Sequence, residues 1–568
     1  MHRGSGNSPE SSSRVYNVAM QKRLKQVLQT TLQGLGVVLE LASIPLEHPS
    51  DLQNGDYATG VALQVAKQAG MKPKELAEKI VSILGEVVGV AKIEIAGPGF
   101  INFYLSSEAI GATLEDARTS AKWGANENEK EKKIMVEYTD PNPFKEFHIG
   151  HLMSNAIGEA FTRLLDFSGA TVVRANWQGD VGPHVAKTIW GKMQKPELGW
   201  GEAYAYGSEH YEENKEVVDE INKKVYEKNN EEINTLYAEG RKVSLERFEE
   251  IYRVLGTKFD YYFFEGIEGL EGVEIVKTHL RDGVFEESQG AVVFPGEKYG
   301  LHTRVFLTSK GLPTYEAKEL GLNKAKFEKE PDLDESIIVT AQEQEDYFKV
   351  ILKAIEIIFP DIGRKTKHIP HGMMRFAEGK MSSRKGNVIT GESLLADLTD
   401  AARERAKESR AEDPEKLAEQ VAVAAVKYQI LRQATGKDIV FNREQALSLE
   451  GDSGPYIQYA HARACAIMEK ADEQGVNAKV DVRADPTALS RLAARFPDIV
   501  ERAAQNLEPQ LVANYLVGFA GAFNSWYAQE QILDGTEKAA HKVALADAAR
   551  QTLKNGLWLL GIPAPERM

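Results

Sequence analysis

His148 and His151 stand three residues apart around Ile149-Gly150, at the start of a helical pattern that follows a strand-like run. Imidazoles at i and i+3 project to one side of a helix and can donate hydrogen bonds to phosphate oxygens. The place itself favours anions, because the first turn of a helix presents unpaired N–H groups and a partial positive charge. Gly150 lets a nucleotide approach the backbone closely. With 12 His and 47 Gly in 568 residues, about 0.02 chance matches to His-x-Gly-His are expected. A second cluster lies 232 residues on, Lys380-Met381-Ser382-Ser383-Arg384-Lys385-Gly386-Asn387. Its cations and hydroxyls suit a clamp on the charge that grows on a triphosphate during phosphoryl transfer. Standing alone, it reads better as a solvated basic loop.

Periodicity shows which elements must position these residues. Residues 134–138 predict a strand, Pro141-Asn142-Pro143 a turn, and 148–167 a helix. Ile149, Leu152, Ala156, Ala160 and Leu164 share a face of that helix, and Gly169 is placed to end it. A strand at 171–173 completes a βαβ unit with a right-handed parallel crossover. Strand-like runs return at 291–294 and 336–339, while 201–250 is helical, carries 14 acidic and 7 basic side chains, and looks inserted. Upstream, Leu24, Val27, Leu28, Leu32 and Leu35 recur at helical spacing, and residues 92–105 alternate on both sides of Gly97-Pro98-Gly99 as strand, turn, strand. From about 395 the pattern is helical to the end. The prediction is an α/β protein: a Rossmann-type parallel-sheet domain at 131–394 with a helical insertion at about 195–260, an N-terminal α/β domain at 14–125 and a C-terminal all-helical domain at 395–568. Residues 1–13, rich in Ser, Gly and Pro, predict a disordered tail.

Composition narrows the function. A single cysteine, Cys465, excludes a disulfide framework and a Cys-cluster zinc site, and fits a cytoplasmic location. The longest apolar-rich stretch, 511–523, is broken by Asn514 and falls short of the ~20 residues a membrane span needs, so no membrane partner is expected. The net charge of −15 argues at first sight against nucleic acid. About half of that excess comes from 201–250, however, whereas 361–390 holds 7 basic and 2 acidic residues. A global sum does not describe a local field.

Together the two clusters resemble the HIGH and KMSKS signatures of class I aminoacyl-tRNA synthetases. From about 20 to 568 the chain is similar to the arginyl-tRNA synthetase family. The similarity is carried by Asp140-Pro141-Asn142-Pro143-Phe144-Lys145 before the first signature, Asn176-Trp177-Gln178-Gly179-Asp180-Val181-Gly182, Gly55-Asp56-Tyr57-Ala58-Thr59, Gly97-Pro98-Gly99-Phe100-Ile101-Asn102, and the closing Leu560-Gly561-Ile562-Pro563 with Met568 last. The resemblance implies activation of L-arginine by ATP, with Mg²⁺ on the phosphates and no protein-bound zinc, then transfer to the 3′-terminal adenosine of tRNA(Arg). It implies catalytic roles for Lys145, His148, His151, Lys380 and Arg384, and ATP contacts from Gly150, Met381, Ser382, Ser383 and Lys385. Ser383 stands where KMSKS has its second lysine, and Lys145 is implied to compensate. Glu137 and Asn142 would meet the α-amino and carboxylate groups of arginine, and Gln344, two residues after Gln342, would line the pocket. A guanidinium is best recognised by a carboxylate fork and an aromatic face. Tyr315 and Glu319, at i and i+4 of a predicted helix, offer both, and the family has a shorter Asp at the second position. Tyr456, Tyr459, Tyr527 and Met568 are implied at the anticodon loop, although Tyr456 and Tyr459 read equally well as core tyrosines. A monomer is expected.

Rival readings have discriminating features. A cysteinyl enzyme needs more cysteines than this chain has. A class I lysyl enzyme is disfavoured by the Gly-Asp-Tyr segment and by Tyr315 with Glu319. Small nucleotidyltransferases share His-x-Gly-His but lack the long helical tail, and the intact histidines disfavour a non-catalytic tRNA-binding relative.

Overall fold

The computed structural model describes residues 20–377 and 389–568. The second basic cluster, with Lys380, Met381, Ser382, Ser383, Arg384 and Lys385, lies outside the described residues, as does the tail at 1–13.

A five-stranded sheet organises the middle of the chain. Its strands are β1 (Lys133–Glu137), β2 (Thr171–Gln178), β3 (Tyr261–Phe264), β4 (Glu335–Ala341) and β5 (Thr366–His371). They run in the order 3-2-1-4-5, every neighbouring pair parallel. Such sheets are covered on both faces, so their strands are apolar throughout. Ile134, Met135 and Val136 of β1 and Ile337, Ile338 and Val339 of β4 are accordingly buried. The order reverses between β1 and β4, and the crevice at the carboxyl ends of such a pair is where these folds take ligands. Helix α1 (Ile149–Phe167) crosses from β1 to β2, and α2 (Glu265–Arg281) follows β3 directly. Helix α3 (Tyr315–Lys329) leads into β4.

The insertion is helical, with Trp200–Glu209, Lys215–Glu227 and Glu231–Leu255 returning the chain to β3. Both edge strands, β3 and β5, escape the periodicity. Tyr261–Phe264 is four consecutive aromatics without alternation, and Thr366–His371 is a polar edge carrying Pro370. Strand β2 runs five residues past the predicted 171–173, because the polar Asn176 and Gln178 are buried with internal partners.

The N-terminal segment pairs Tyr57–Thr59, Phe100–Leu105 and Val90–Ala96 in an antiparallel sheet against the helix Pro73–Leu84. It docks on the C-terminal helix Ala488–Asn506. Tyr57 Oη donates to Asp498 Oδ2 at 2.7 Å and His48 Nε2 lies 3.0 Å from the same oxygen. Arg495 donates to the Pro49 carbonyl at 2.8 Å. The segment at 55–59 therefore serves as a joint between two regions far apart in sequence. The C-terminal region is helical with one exception to the all-helical expectation. Ile439–Phe441 pairs in parallel with Met374–Phe376, tying that region to the end of the sheet domain. A three-residue strand is too short to carry a readable period.

Candidate active site

His148 is the N-cap of α1, and its geometry differs from that of an open helix start. Its Nδ1 accepts from the backbone N–H of Gly150 at 3.1 Å and of His151 at 3.4 Å. The backbone N–H of His148 in turn donates to His151 Nδ1 at 3.2 Å. The two rings stack with centroids 3.4 Å apart. Since each Nδ1 accepts, each neutral ring carries its proton on Nε2. Two stacked rings thus carry Nε2–H donors at the start of α1, and the backbone N–H groups of the first turn fix their tautomer. The surrounding cleft, and then Lys145, push the His148 pKa down to about 4. Burial, His148 and Lys145 push that of buried His151 well down as well. Both rings are neutral donors at pH 7.

The segment between β1 and α1 is strained. Thr139 (φ 80°), Asp140 (φ 46°) and Phe144 (φ 72°) all occupy the left-handed region that non-glycine residues avoid. Surrounding contacts hold them there. Ser154 Oγ accepts the Thr139 N–H at 2.9 Å, Asp140 Oδ1 accepts the Trp177 N–H at 2.9 Å, and Ser244 Oγ accepts the Phe144 N–H at 2.9 Å. Strain of this kind concentrates at functional sites, and here the strained segment carries Asn142 and Lys145, which line a cavity. Gly179, at the end of β2, leaves space for Asn142, whose Oδ1 a Cβ there would strike.

A cavity of about 430 Å³ opens beside this segment, and Glu137, Asn142, Lys145, Tyr315, Glu319 and Gln344 all line it. Six of the predicted site residues, from three separate stretches of sequence, thus meet around one space. Gln344 lines it, while Gln342 turns away and donates to Asp438 at 3.0 Å. Asp140, Trp177, Glu265, Arg304, Thr340, Glu343, Tyr347 and Phe348 complete the wall, and no sequence pattern had marked them for this role. Glu265 opens α2 right after the unread strand β3. A signal did exist for its neighbourhood. Gly266, Gly269 and Gly272 recur every third residue, and α2 packs so closely on α3 that side chains at Gly272 or Gly321 would strike the facing backbone.

The cavity wall is acidic and partly pre-paired. Buried Glu137 forms an ion pair with buried Lys326, and buried Glu265 accepts from buried Lys318 at 2.5 Å. Glu319 Oε2 is buried with no hydrogen-bond partner among the described residues. Burial, reinforced by the charge of Glu137, raises the carboxyl pKa values of Glu319 and Asp140 well above the ordinary range. Such a site suits a ligand that brings positive charge with it.

Residues 113–443 match the family model for the catalytic domain of tRNA synthetases class I (R), 20–105 the arginyl tRNA synthetase N terminal domain, and 457–568 the DALR anticodon binding domain. The chain belongs to the arginyl-tRNA synthetase family. An arginine–tRNA ligase of Clostridium perfringens is 30% identical over 97% of this chain and 100% of its own length. One from Clostridioides difficile is 31% identical over 92% of this chain and 95% of its own. The Thermus thermophilus arginyl-tRNA synthetase structure superposes with a TM-score of 0.80 at 24% identity, covering 97% of this chain and 100% of that one. As an arginyl-tRNA synthetase family member the chain is a class I ligase that takes ATP as substrate.

In this family's helical domain, the sequence had pointed to Tyr456, Tyr459, Tyr527 and Met568. The structure brings three of them near one another. The Arg463 guanidinium lies 4.7 Å from both the Tyr459 and Tyr527 ring centroids, and Met568 shares an apolar cleft with Tyr459. Tyr456 is half-buried and packs on the domain core beside Gly521.

Proposed function

We propose that L-arginine occupies the acidic cavity and ATP lies along the His148–His151 edge. Glu319 and Tyr315 hold the guanidinium, and Glu137 and Asn142 hold the α-amino and carboxylate groups, with Gln344 closing the wall. The arginine carboxylate attacks the α-phosphorus, the bond to pyrophosphate breaks, and arginyl-adenylate forms. The 2′-OH of the terminal adenosine of tRNA(Arg) then takes the arginyl group and releases AMP. The protein contributes positioning and charge stabilisation rather than a covalent intermediate. The Nε2–H groups of His148 and His151 donate to the phosphate oxygens as negative charge builds, and Gly150 keeps the approach open. Lys145, which touches the cavity and acts on both histidines, supplies a cation between the two substrates. Lys380, Arg384 and Lys385, with Met381, Ser382 and Ser383, complete the clamp on the pyrophosphate.

Mg²⁺ arrives with the triphosphate, whose oxygens are its main ligands. Among the described residues no group of three or more His, Cys, Asp or Glu side chains is placed to hold a metal ion alone. The working units are the N-terminal domain at 14–125 on the outer corner of tRNA, the catalytic domain at 131–394 with its insertion at 195–260, and the helical domain at 395–568 on the anticodon loop. There Tyr459, Tyr527 and Met568 offer faces for unpaired bases, with Tyr456 behind them. The chain acts as a monomer in the cytoplasm. Among the described residues no helix is long and apolar enough to cross a membrane.

The observation that carries this reading is the buried Glu319 carboxyl, with Oε2 unpartnered among the described residues, in a cavity whose wall also holds Lys145, three residues before His148. Pyrophosphate exchange in the presence of tRNA tests it. Exchange driven by arginine and not by lysine is expected, and lysine-only exchange would overturn it.

A further inference from the structure

Lys318 is a group that a pocket for a cationic side chain would not ask for. It sits on α3 between Tyr315 and Glu319, its side chain 5% exposed. Its ammonium donates to Glu265 at 2.5 Å and lies 5.0 Å from the Tyr315 ring centroid. The Tyr226 phenol, from the insertion, lies close enough for the Lys318 charge to act on it. Glu265 and Tyr315 both line the cavity. A carboxylate and an aromatic face are the two groups a ligand cation seeks. Here they already hold an ammonium that belongs to the protein.

We propose that Lys318 is a specificity-determining residue, an internal ammonium that makes the pocket indifferent to lysine while leaving it open to arginine. This rests on the reading that the cavity takes the amino-acid substrate. A lysine side chain that reached Glu265 would exchange one ammonium for another, with the same charge and the same kind of hydrogen bond, and gains nothing. A guanidinium differs. Its planar fork carries five N–H donors, is less strongly hydrated, and can bridge Glu265 and the unpaired Glu319 while lying on Tyr315. The exchange is then favourable, and the Lys318 ammonium moves back towards Tyr226. Discrimination comes from a competitor built into the fold rather than from a clash, which is a form of selection against the wrong ligand. The close α2–α3 contact enforces the arrangement, since Gly269 faces the Lys318 stem and a Cβ there would lie 3.1 Å from Lys318 Cγ.

The test measures equilibrium binding of L-arginine and L-lysine to the full-length protein, with lysine read by competition. In Lys318→Met the stem is kept and the competitor removed. Lysine affinity is expected to rise at least about tenfold relative to arginine. Lys318→Arg retains an internal cation and should keep or widen the original ratio. Tyr226→Phe loosens the ammonium without emptying the site, so it covers the case in which Lys318→Met fails to fold, and should shift the ratio the same way by a smaller factor. A ratio unchanged in both Lys318→Met and Tyr226→Phe, or lysine weakened along with arginine, overturns the proposal. A loss of packing alone would not selectively favour lysine. Glu319→Gln keeps the two readings apart: if it leaves arginine binding intact, the assignment of the cavity itself has failed.

Discussion

The two ends of the proposed catalytic site, one for phosphate and one for the amino acid, use opposite means to the same result. At the phosphate end, two histidines are kept neutral by the cleft and by Lys145, and their tautomer is set by the backbone. At the amino-acid end, carboxyl groups are crowded and buried until proton loss becomes costly, and two lysines of α3 neutralise two of them. Each end withholds part of its charge until a substrate of opposite sign arrives. Direction is the difference: the phosphate end offers donors to an anion, the other offers latent anions to a cation. An ATP site can be marked by a short local motif because one helix start builds most of it. The proposed arginine site needs three strand ends and two helices, so its parts are scattered through the chain.

Substitutions should separate the two ends. The largest effect is expected for Glu319→Gln, which leaves a buried guanidinium without its charge partner. Such losses cost about 3–5 kcal/mol, so arginine affinity should fall roughly a thousandfold while ATP binding is kept, as read by calorimetry with each ligand. His148→Asn comes next. Losing one donor to the developing charge typically costs about 10²–10³ in rate, and single-turnover adenylate formation should slow accordingly with arginine affinity unchanged. Equal damage to both ligands by either variant would erase the distinction between the ends.

Acid should affect global stability and arginine binding in different ways. Burial first holds His184 at about 3 and His461 at about 4. The unfolded value is about 6.5, so the unfolded chain binds more protons over the window from 6.5 down towards 3. Stability is therefore lost as pH falls through that window, and urea midpoints at pH 7.5, 6 and 5 should decrease in that order. Arginine binding should weaken on acidification from a higher pH than an ordinary carboxylate would give, because the Glu319 carboxyl is raised. The pH dependence should flatten in Glu319→Gln. The smallest effect is expected far from both ends. Tyr57→Phe removes one hydrogen bond to Asp498 and should lower stability by about 1 kcal/mol without changing arginine binding.

Much of the proposed site can be read from the sequence alone. His148 and His151 announce a phosphate end because a helix start needs only local sequence, and Tyr315 with Glu319 could be paired by helical spacing alone. Glu265 and Lys318 could not be placed, because their roles depend on how α2 meets α3. That contact is set by Gly269, Gly272 and Gly321, whose meaning emerges only when two backbones touch. The choice between Gln342 and Gln344 likewise turns on a one-turn 3₁₀ segment, Gln342–Gln344, that sends one inward and the other to Asp438. Edge strands β3 and β5 stayed hidden because one is uniformly aromatic and the other polar, leaving no alternation to detect.

The central claim is that the amino-acid end reads charge rather than shape. L-Citrulline tests it most directly, since its urea group matches the guanidinium in size and planarity but is neutral. Titration of the full-length protein with both amino acids at pH 7.5 should show L-arginine binding at least about a thousandfold more tightly, in line with the loss expected when a buried partner goes unpaired. Comparable affinities for the two would contradict the account.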